Sequence, residues 1–346
     1  MKLNINAPIN TTSYGYVSSY FMSHLKKLGW DIRHLGIGPN SPDDVTAELL
    51  RGISNEFHYD APCLKIWHQN QLCGFTGSPK IGFPIFELED FSKEELHSLN
   101  YPDLLFVCSN WAKDVLSKYN IRSEVVPLGY DPNIFKVSNM PKKSTTVFAN
   151  FGKWEIRKGH DILIRAFEAA FTPKDDVLLV MCPTNQFLPR QKAEEWENLY
   201  TKGKMGNQVQ LIPRVMNQKE VYNIMEQVDC GVFPARAEGW NLEGLELLAT
   251  GRYCIMTNCT GHTEFVDKDV MLINMPEKLE IAYDGVFFDG TRHWRSFGKD
   301  QFDQLVHYLR DFHINRPIIP NSSFTRVKKF TWDNSALTLS DKLKGV

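Results

Sequence analysis

Ala235-Arg-Ala-Glu238-Gly-Trp-Asn-Leu-Glu243-Gly-Leu-Glu246-Leu-Leu-Ala-Thr-Gly251 is the stretch on which the reading of the fold turns. It starts just beyond the apolar run Cys230–Pro234 and passes into a helical pattern over Leu242–Ala249. Seven residues separate Glu238 from Glu246. At a helical rise of about 1.5 Å per residue, this segment can present acids at two depths along one cleft. Gly239, beside the first acid, lets backbone come close to a ligand. Such a site suits a polyol carried on a nucleotide, with one acid on sugar hydroxyls and the other on a ribose. The pattern fits a ligand-free acidic helix start as well, because the helix dipole favours Glu in the first turn.

Working outward, strands and helices alternate. Strand patterns cover Met1–Ala7, Trp30–Gly36, Cys63–Trp67, Leu104–Cys108 and Ser123–Pro127, with helical spacing over Tyr16–Leu28 and Trp111–Tyr119. A second series begins with strand Thr146–Phe151 and helix Gly159–Phe171. It continues through strand Val177–Met181, helix Gln191–Lys202, strand Val209–Ile212 and helix Lys219–Gln227 to the quoted stretch, and ends at strand Tyr253–Asn258. Asp131–Thr145, with Pro132, Pro141 and paired lysines, has linker composition. This alternation predicts an α/β protein with parallel sheets and helical crossovers. The expected domains are residues 1–140 and 141–329, with 330–346 as a terminal helix whose sequence suits packing on the second domain as well as a crossing toward the first. Phe330–Leu343, with Trp332, Leu337, Leu339 and Leu343, carries that helix.

A length of 346 residues exceeds the usual single core and fits two domains. An apolar fraction of 42% and a charged fraction of 23% describe an ordinary globular chain. A net charge of −2 gives no support to a broadly basic nucleic-acid surface. Seven scattered cysteines point to free thiols in a reducing compartment. Neither a signal-peptide pattern nor a bilayer-length apolar run is evident, so a cytoplasmic location is expected.

Four blocks in order give the chain a family resemblance. Glu238 and Glu246, with Gly239 and Gly251 around them, resemble the Glu-x7-Glu motif of retaining, nucleotide-sugar-dependent glycosyltransferases of the GT-B architecture. Phe151-Gly-Lys-Trp-Glu-Ile-Arg-Lys-Gly159 resembles that family's phosphate site. Val126-Pro-Leu-Gly-Tyr-Asp131 through Phe135 resembles the segment joining its lobes, and Thr260-Gly-His-Thr-Glu264 resembles the loop beyond the acidic helix. The resemblance covers residues 80–270 well. It implies two facing Rossmann-like domains, the first binding the acceptor and the second the nucleotide sugar.

The resemblance also assigns roles. As a nucleotide diphosphate departs, negative charge grows on the bridging oxygen, and fixed cations stabilise it. Lys153 and Lys158 are the expected clamp, with Gly152 and Gly159 letting backbone pass close to the phosphates. The family usually has arginine where Lys153 stands, so the rigid fork is lost here. Arg157 is a further cation candidate, or else a solvated neighbour. Glu246 is expected on the donor ribose and Glu238 near the transferred sugar. Asn241 and Leu242 offer helix-start amides, as does the Gly261-His262-Thr263 loop. Glu243 stands off the motif. Transfer is expected on one face, with the leaving phosphate assisting deprotonation of the acceptor. A UDP-sugar ranks ahead of a GDP-sugar as donor, and no metal is expected.

In the first lobe, Thr12-Ser-Tyr-Gly-Tyr16 resembles the family's glycine loop. There Gly15 would pass beneath the phosphate, with Tyr14 and Tyr16 toward sugar or acceptor; a plain turn with packed tyrosines reads equally well. His68 stands at the carboxyl end of a strand and is expected at the acceptor, handling a proton; a structural histidine is the alternative. Glu87 is a weaker acceptor candidate, and Ser109 a helix cap or a ligand contact. A glycan or other small molecule is the expected acceptor. Glycosylation of a hydroxylated nucleobase in DNA or RNA is a second reading, with Arg326, Lys328 and Lys329 as a phosphate-attracting patch. Non-catalytic nucleotide-sugar binding is a third. Peripheral membrane association stays open. A dehydrogenase lacks its Gly-x-Gly-x-x-Gly fingerprint after the first strand.

Overall fold

A computed structural model describes residues 1–138, 144–215, 217–267, 270–319 and 321–345. Pro141, Lys142, Lys143 and the expected boundary at 140/141 lie outside the described residues. The chain divides into two compact units, Met1–Asp131 with Lys329–Val346, and Pro132–Lys328.

The first unit carries strands β1 (Lys2–Ala7), β2 (Asp31–Gly36), β3 (Cys63–Trp67), β4 (Lys80–Pro84), β5 (Leu104–Val107) and β6 (Glu124–Val125), with helices α1 (Ser13–Lys27), α2 (Asp44–Leu49), α3 (Lys93–Leu99) and α4 (Asn110–Ser117). The sheet order is β2-β1-β3-β4-β5-β6, and every pairing is parallel. Strand β4 is absent from the sequence-based expectation. It is five residues long, and its Gly82 fits where a Cβ would lie 2.7 Å from a Leu105 methyl. Ser109 accepts the Ala112 N–H and caps α4, which gives it a structural role.

The second unit carries β7 (Thr146–Phe151), β8 (Val177–Cys182), β9 (Val209–Leu211), β10 (Cys230–Phe233), β11 (Tyr253–Thr257) and β12 (Met271–Ile273) in the order β12-β11-β10-β7-β8-β9, all parallel. A parallel sheet covered on both faces needs near-continuous apolar strands, and Val177-Leu-Leu-Val-Met-Cys182 is one. An antiparallel pair, β13 (Leu279–Tyr283) and β14 (Asp289–Arg295), follows. The helices are α5 (His160–Ala170), α6 (Arg190–Thr201), α7 (Gln218–Met225), α8 (Leu242–Ala249), α9 (Lys299–Asn315) and α10 (Asn321–Val327). Helix α9 is also absent from the expectation. Leu305, Leu309 and Phe312 put one of its faces into the core beside Phe148 and Phe167.

The last helix, α11 (Trp332–Lys344), packs on the first unit. Trp332 stacks on Tyr20 with centroids 5.0 Å apart, and Trp30 Nε1 donates to Ser340 Oγ at 2.9 Å. Thr331 caps it by accepting the Asn334 N–H.

Candidate active site

In each sheet the strand order reverses once, between β1 and β3 and between β7 and β10. Ligands of open parallel sheets bind at the carboxyl ends of the strands flanking such a reversal. In the second unit those ends carry the two charged motifs, the loop 152–159 after β7 and the loop 234–241 after β10.

Interlocking backbone fixes the two loops. Gly159 has φ +75°, and a Cβ there would sit 2.1 Å from the Pro234 carbonyl oxygen, so only glycine permits this approach. The Arg236 N–H donates to the Arg157 carbonyl at 2.8 Å, and Arg157 Nη1 donates to the Ala237 carbonyl at 2.7 Å. A buried relay supports the first loop from beneath. Asn150 Nδ2 donates to the Val232 carbonyl, His160 Nε2 donates to Asn150 Oδ1 at 2.9 Å, and the Glu155 N–H donates to His160 Nδ1 at 3.1 Å. Both ring nitrogens are thereby assigned and the ring is neutral. Burial, aided by Lys158, pushes its pKa down to about 3. Trp154 meets the ring edge-on and stacks on Trp196.

On this frame sits an ion-pair network. Lys158 Nζ meets Glu238 Oε1 at 2.6 Å and Arg157 Nη1 meets Glu238 Oε2 at 2.9 Å. Arg157 Nη2 meets Glu155 Oε2 at 2.8 Å, and Lys153 Nζ meets Glu155 Oε1 at 3.2 Å. Arg157, Lys158, Glu155 and Glu238 are all buried. Burial alone would raise the Glu238 carboxyl, but Lys158, Arg157 and then His262 outweigh it and hold the group well below the usual carboxylate range. Burial likewise opposes the Lys158 ammonium, but Glu238, Glu243 and Glu155 together outweigh it and raise Lys158 above its ordinary value. Arg157 is therefore no solvated neighbour. Glu155, an unremarked spacer in the motif, is a full member of the network.

Gly152, at φ +134°, gives the Lys158 stem its space: a Cβ there would lie 3.0–3.1 Å from Lys158 Cδ, Cε and Nζ. Lys153 is the most open cation of the set, with 43% side-chain exposure. Its ammonium lies 5.4 Å from the Phe187 ring centroid and 5.9 Å from that of Phe287.

Glu238 lies in the loop before α8, and its backbone is held on both sides. Its N–H donates to Thr260 Oγ1 at 3.0 Å, and its carbonyl accepts the Gly261 N–H at 2.8 Å. Asn241 caps α8 from the left-handed region (φ +73°), accepting the Gly244 N–H on Oδ1. That leaves its Nδ2 as donor to His262 Nε2 at 2.9 Å, so His262 is neutral with its proton on Nδ1, toward the Thr257 carbonyl. Burial brings His262 down to about 4. Leu242 is the first residue of α8 and is buried. Glu246, also buried, accepts from Gln218 Nε2 of α7 at 3.2 Å, a partner that sequence reasoning missed. Glu243 is half-buried and acts on Lys158 through its charge. Arg236 was missed as well; it is clamped by Asp161 and Glu280.

At the reversal point of the first unit the chemistry differs. His68 is exposed at the end of β3, with Nδ1 3.1 Å from the Tyr14 hydroxyl, which itself donates to the Ile85 carbonyl at 2.7 Å. Trp67 packs against both rings. Tyr16 donates to Asp43, and Glu87 is half-buried. Gly15 lies inside α1, where a Cβ would fall 2.0 Å from the Asn10 carbonyl oxygen; that contact requires the glycine whatever the ligand. Arg326 bonds the Glu264 carbonyl and pairs with Asp267, and the Lys328 ammonium covers the Phe324 ring.

Among the described residues no cluster of His, Cys, Asp and Glu has metal-site geometry, and no helix is long and apolar enough to cross a membrane.

Residues 145–283 match the family of glycosyl transferases group 1. No curated protein matches the chain in sequence. Among solved structures, sucrose-phosphate synthase from Thermosynechococcus elongatus aligns over 100% of this chain and 98% of its own, at TM-score 0.70 and 14% identity. HepE from Anabaena, solved with UDP and glucose, aligns over 100% of both chains at TM-score 0.70 and 14% identity. A trehalose-6-phosphate protein from E. coli, solved with UDP-2-fluoro glucose, covers 100% of this chain and 99% of its own at TM-score 0.65 and 11% identity. The fold is GT-B, built from two Rossmann-like units. With a group 1 glycosyltransferase domain in the second unit, the chain is a glycosyltransferase.

Proposed function

We propose that the chain transfers a sugar from a nucleotide-sugar donor to an acceptor hydroxyl with retention at the anomeric carbon. One observation carries the reading. Lys158 and Glu238 form a buried pair at 2.6 Å at the reversal point of the second sheet, beside Gly152. This unites a cation suited to a departing diphosphate with a carboxylate suited to sugar hydroxyls. HepE with UDP and glucose, and the E. coli protein with UDP-2-fluoro glucose, favour a uridine donor.

In this reading Lys158 and Lys153 neutralise the charge that grows on the diphosphate. Glu238, kept ionised by its cations, orients the sugar and stabilises its positive character. Glu246 grips the ribose hydroxyls. Asn241, Leu242 and Gly152 supply backbone approach to the donor. The leaving phosphate takes the proton of the acceptor hydroxyl on the same face, so the two acids are not the acid–nucleophile pair of a glycoside hydrolase. In the first unit, His68 and Tyr14 contact the acceptor, a glycan or other small molecule.

The test is a screen of UDP- and GDP-sugars against soluble glycans, lipid acceptors and nucleic acids, read by nucleotide release and by the anomeric configuration of the product. Consumption of a UDP-sugar with retention is expected. An inverted product overturns the same-face mechanism. Nucleotide-sugar binding without turnover on any acceptor class overturns the enzyme assignment.

A further inference from the structure

Arg157 has no part in the donor chemistry above, yet it is buried at the centre of the network. We propose that Arg157, anchored by Glu155, is the positioning residue that holds the Glu238 carboxylate in place while Lys158 turns to the donor diphosphate. The inference rests on the donor reading.

The two oxygens of Glu238 are divided between the two cations, Oε1 to Lys158 and Oε2 to Arg157. Lys158 therefore serves two anions, the carboxylate and the phosphate. Its ammonium sits on a flexible stem, so a diphosphate draws it off Oε1 at low conformational cost. A buried carboxylate abandoned by its only cation would take up a proton or swing away.

Arg157 prevents both. Its Nε and Nη2 lie 3.0 and 2.8 Å from Glu155 Oε2, and its Nη1 lies 2.7 Å from the Ala237 carbonyl as well as 2.9 Å from Glu238 Oε2. A planar fork spread over three anchors cannot follow a phosphate. A single ammonium cannot span them either. Charge is matched too, since Glu155 compensates the guanidinium independently of Glu238.

The experiment compares wild type with Arg157→Met, Arg157→Lys, Glu155→Gln and Lys158→Met, using UDP binding by calorimetry and UDP-glucose turnover, each beside a thermal melt. UDP carries no sugar for Glu238 to orient. The expected Arg157→Met therefore binds UDP within about threefold of wild type while kcat falls about 10²-fold, the scale of a misplaced catalytic group. Arg157→Lys should stay about tenfold or more below wild type despite its retained charge, and Glu155→Gln should fall between the two.

Turnover of Arg157→Met within threefold of wild type overturns the inference. So does UDP affinity falling in step with kcat, which would make Arg157 a phosphate ligand or a fold prop. Should Arg157→Met not fold, full activity of Arg157→Lys overturns it equally. If Lys158→Met loses UDP while the Arg157 variants transfer normally, the inference fails and the donor reading stands. If wild type binds neither UDP nor GDP and consumes none of their sugars, both fall.

Discussion

The two parallel sheets reverse strand order at equivalent places but equip those places differently. In the second unit the reversal point holds a network of buried Glu155, Glu238, Arg157 and Lys158, with Lys153 at the edge. In the first it holds Tyr14, Trp67 and an exposed histidine, packed ring against ring. Each reversal lies beside the first strand of its unit and offers the same kind of crevice, although the strand orders differ, and side-chain chemistry decides what enters it. Dense fixed charge suits a diphosphate whose charge changes during reaction. An aromatic, solvated surface suits an uncharged polyol that must come and go.

The most forceful way to break this contrast is to remove the central cation. Lys158→Met should lower kcat/KM for the nucleotide sugar by about 10³-fold, the range lost with a single oxyanion-stabilising donor. UDP affinity should fall as well, because the leaving diphosphate is the ligand affected. Initial rates of UDP release check this, and a loss under tenfold would remove Lys158 from the clamp.

The same burial predicts an acid sensitivity of the second unit, in the same direction as that of buried His24 and His34 in the first. His160 and His262, with pKa values near about 3 and about 4, are neutral when folded but titrate near 6.5 when unfolded. Below pH 6.5 the unfolded chain takes protons that the folded chain refuses. Stability is thus complete above that pH and lost as pH falls toward the folded values. At pH 5 each ring should cost about 2 kcal/mol. Urea melts at pH 7.5 and 5 should show that loss, and His160→Asn should make it smaller by about the 2 kcal/mol of one ring. Glu238 adds the same direction of change only below its ordinary carboxylate range, since its depressed pKa contributes above that range.

How far the sequence announced this site depends on which residues one asks about. Gly152, Lys158, Glu238 and Glu246 stand out in the sequence through the motifs they belong to, and the structure brings the first three together. Glu155 does not. Its neighbours mark it as a spacer, and its role exists only because β7 and β10 bring residues 155 and 238 onto the same arginine. His160 and Asn150 escaped for a similar reason, since a relay across two strands and a helix leaves no periodic trace. Helix α9 was a different failure. Leu305, Leu309 and Phe312 repeat at helical spacing and were readable, though no motif drew attention to them. The short β4 offered only Ile81 and Phe83 around a glycine, too little pattern to separate strand from turn.

A smaller effect sharpens the division of labour within the second unit. Glu246→Gln should raise the donor KM by about tenfold and leave kcat near wild type. A ribose contact remote from the breaking bond binds ground state and transition state alike. Donor saturation curves distinguish this from Glu238→Gln, which should act mainly on kcat. If both variants shift the same constant, the two acids do not hold separate parts of the donor.

The smallest expected change is also the one that probes the first unit. Tyr14 donates its proton to the Ile85 carbonyl, so its oxygen accepts from His68 Nδ1, and Nε2 carries the ring's lone pair. An exposed imidazole in that tautomer can accept a hydrogen bond from a hydroxyl without the cost of burial. In the proposed mechanism the leaving phosphate is the base, so His68 would orient the acceptor and add little to proton transfer. His68→Ala should therefore raise the acceptor KM by about three- to tenfold, the value of roughly one hydrogen bond. Thermal stability and UDP affinity should not move, because the side chain is solvated and belongs to the other unit. Tyr14→Phe should give a similar but smaller acceptor effect by freeing the ring's orientation. Acceptor kinetics at saturating donor, paired with UDP calorimetry, check both variants. A loss of UDP affinity on His68→Ala would mean that the aromatic surface also serves the donor, and the contrast between the two reversal points would no longer hold.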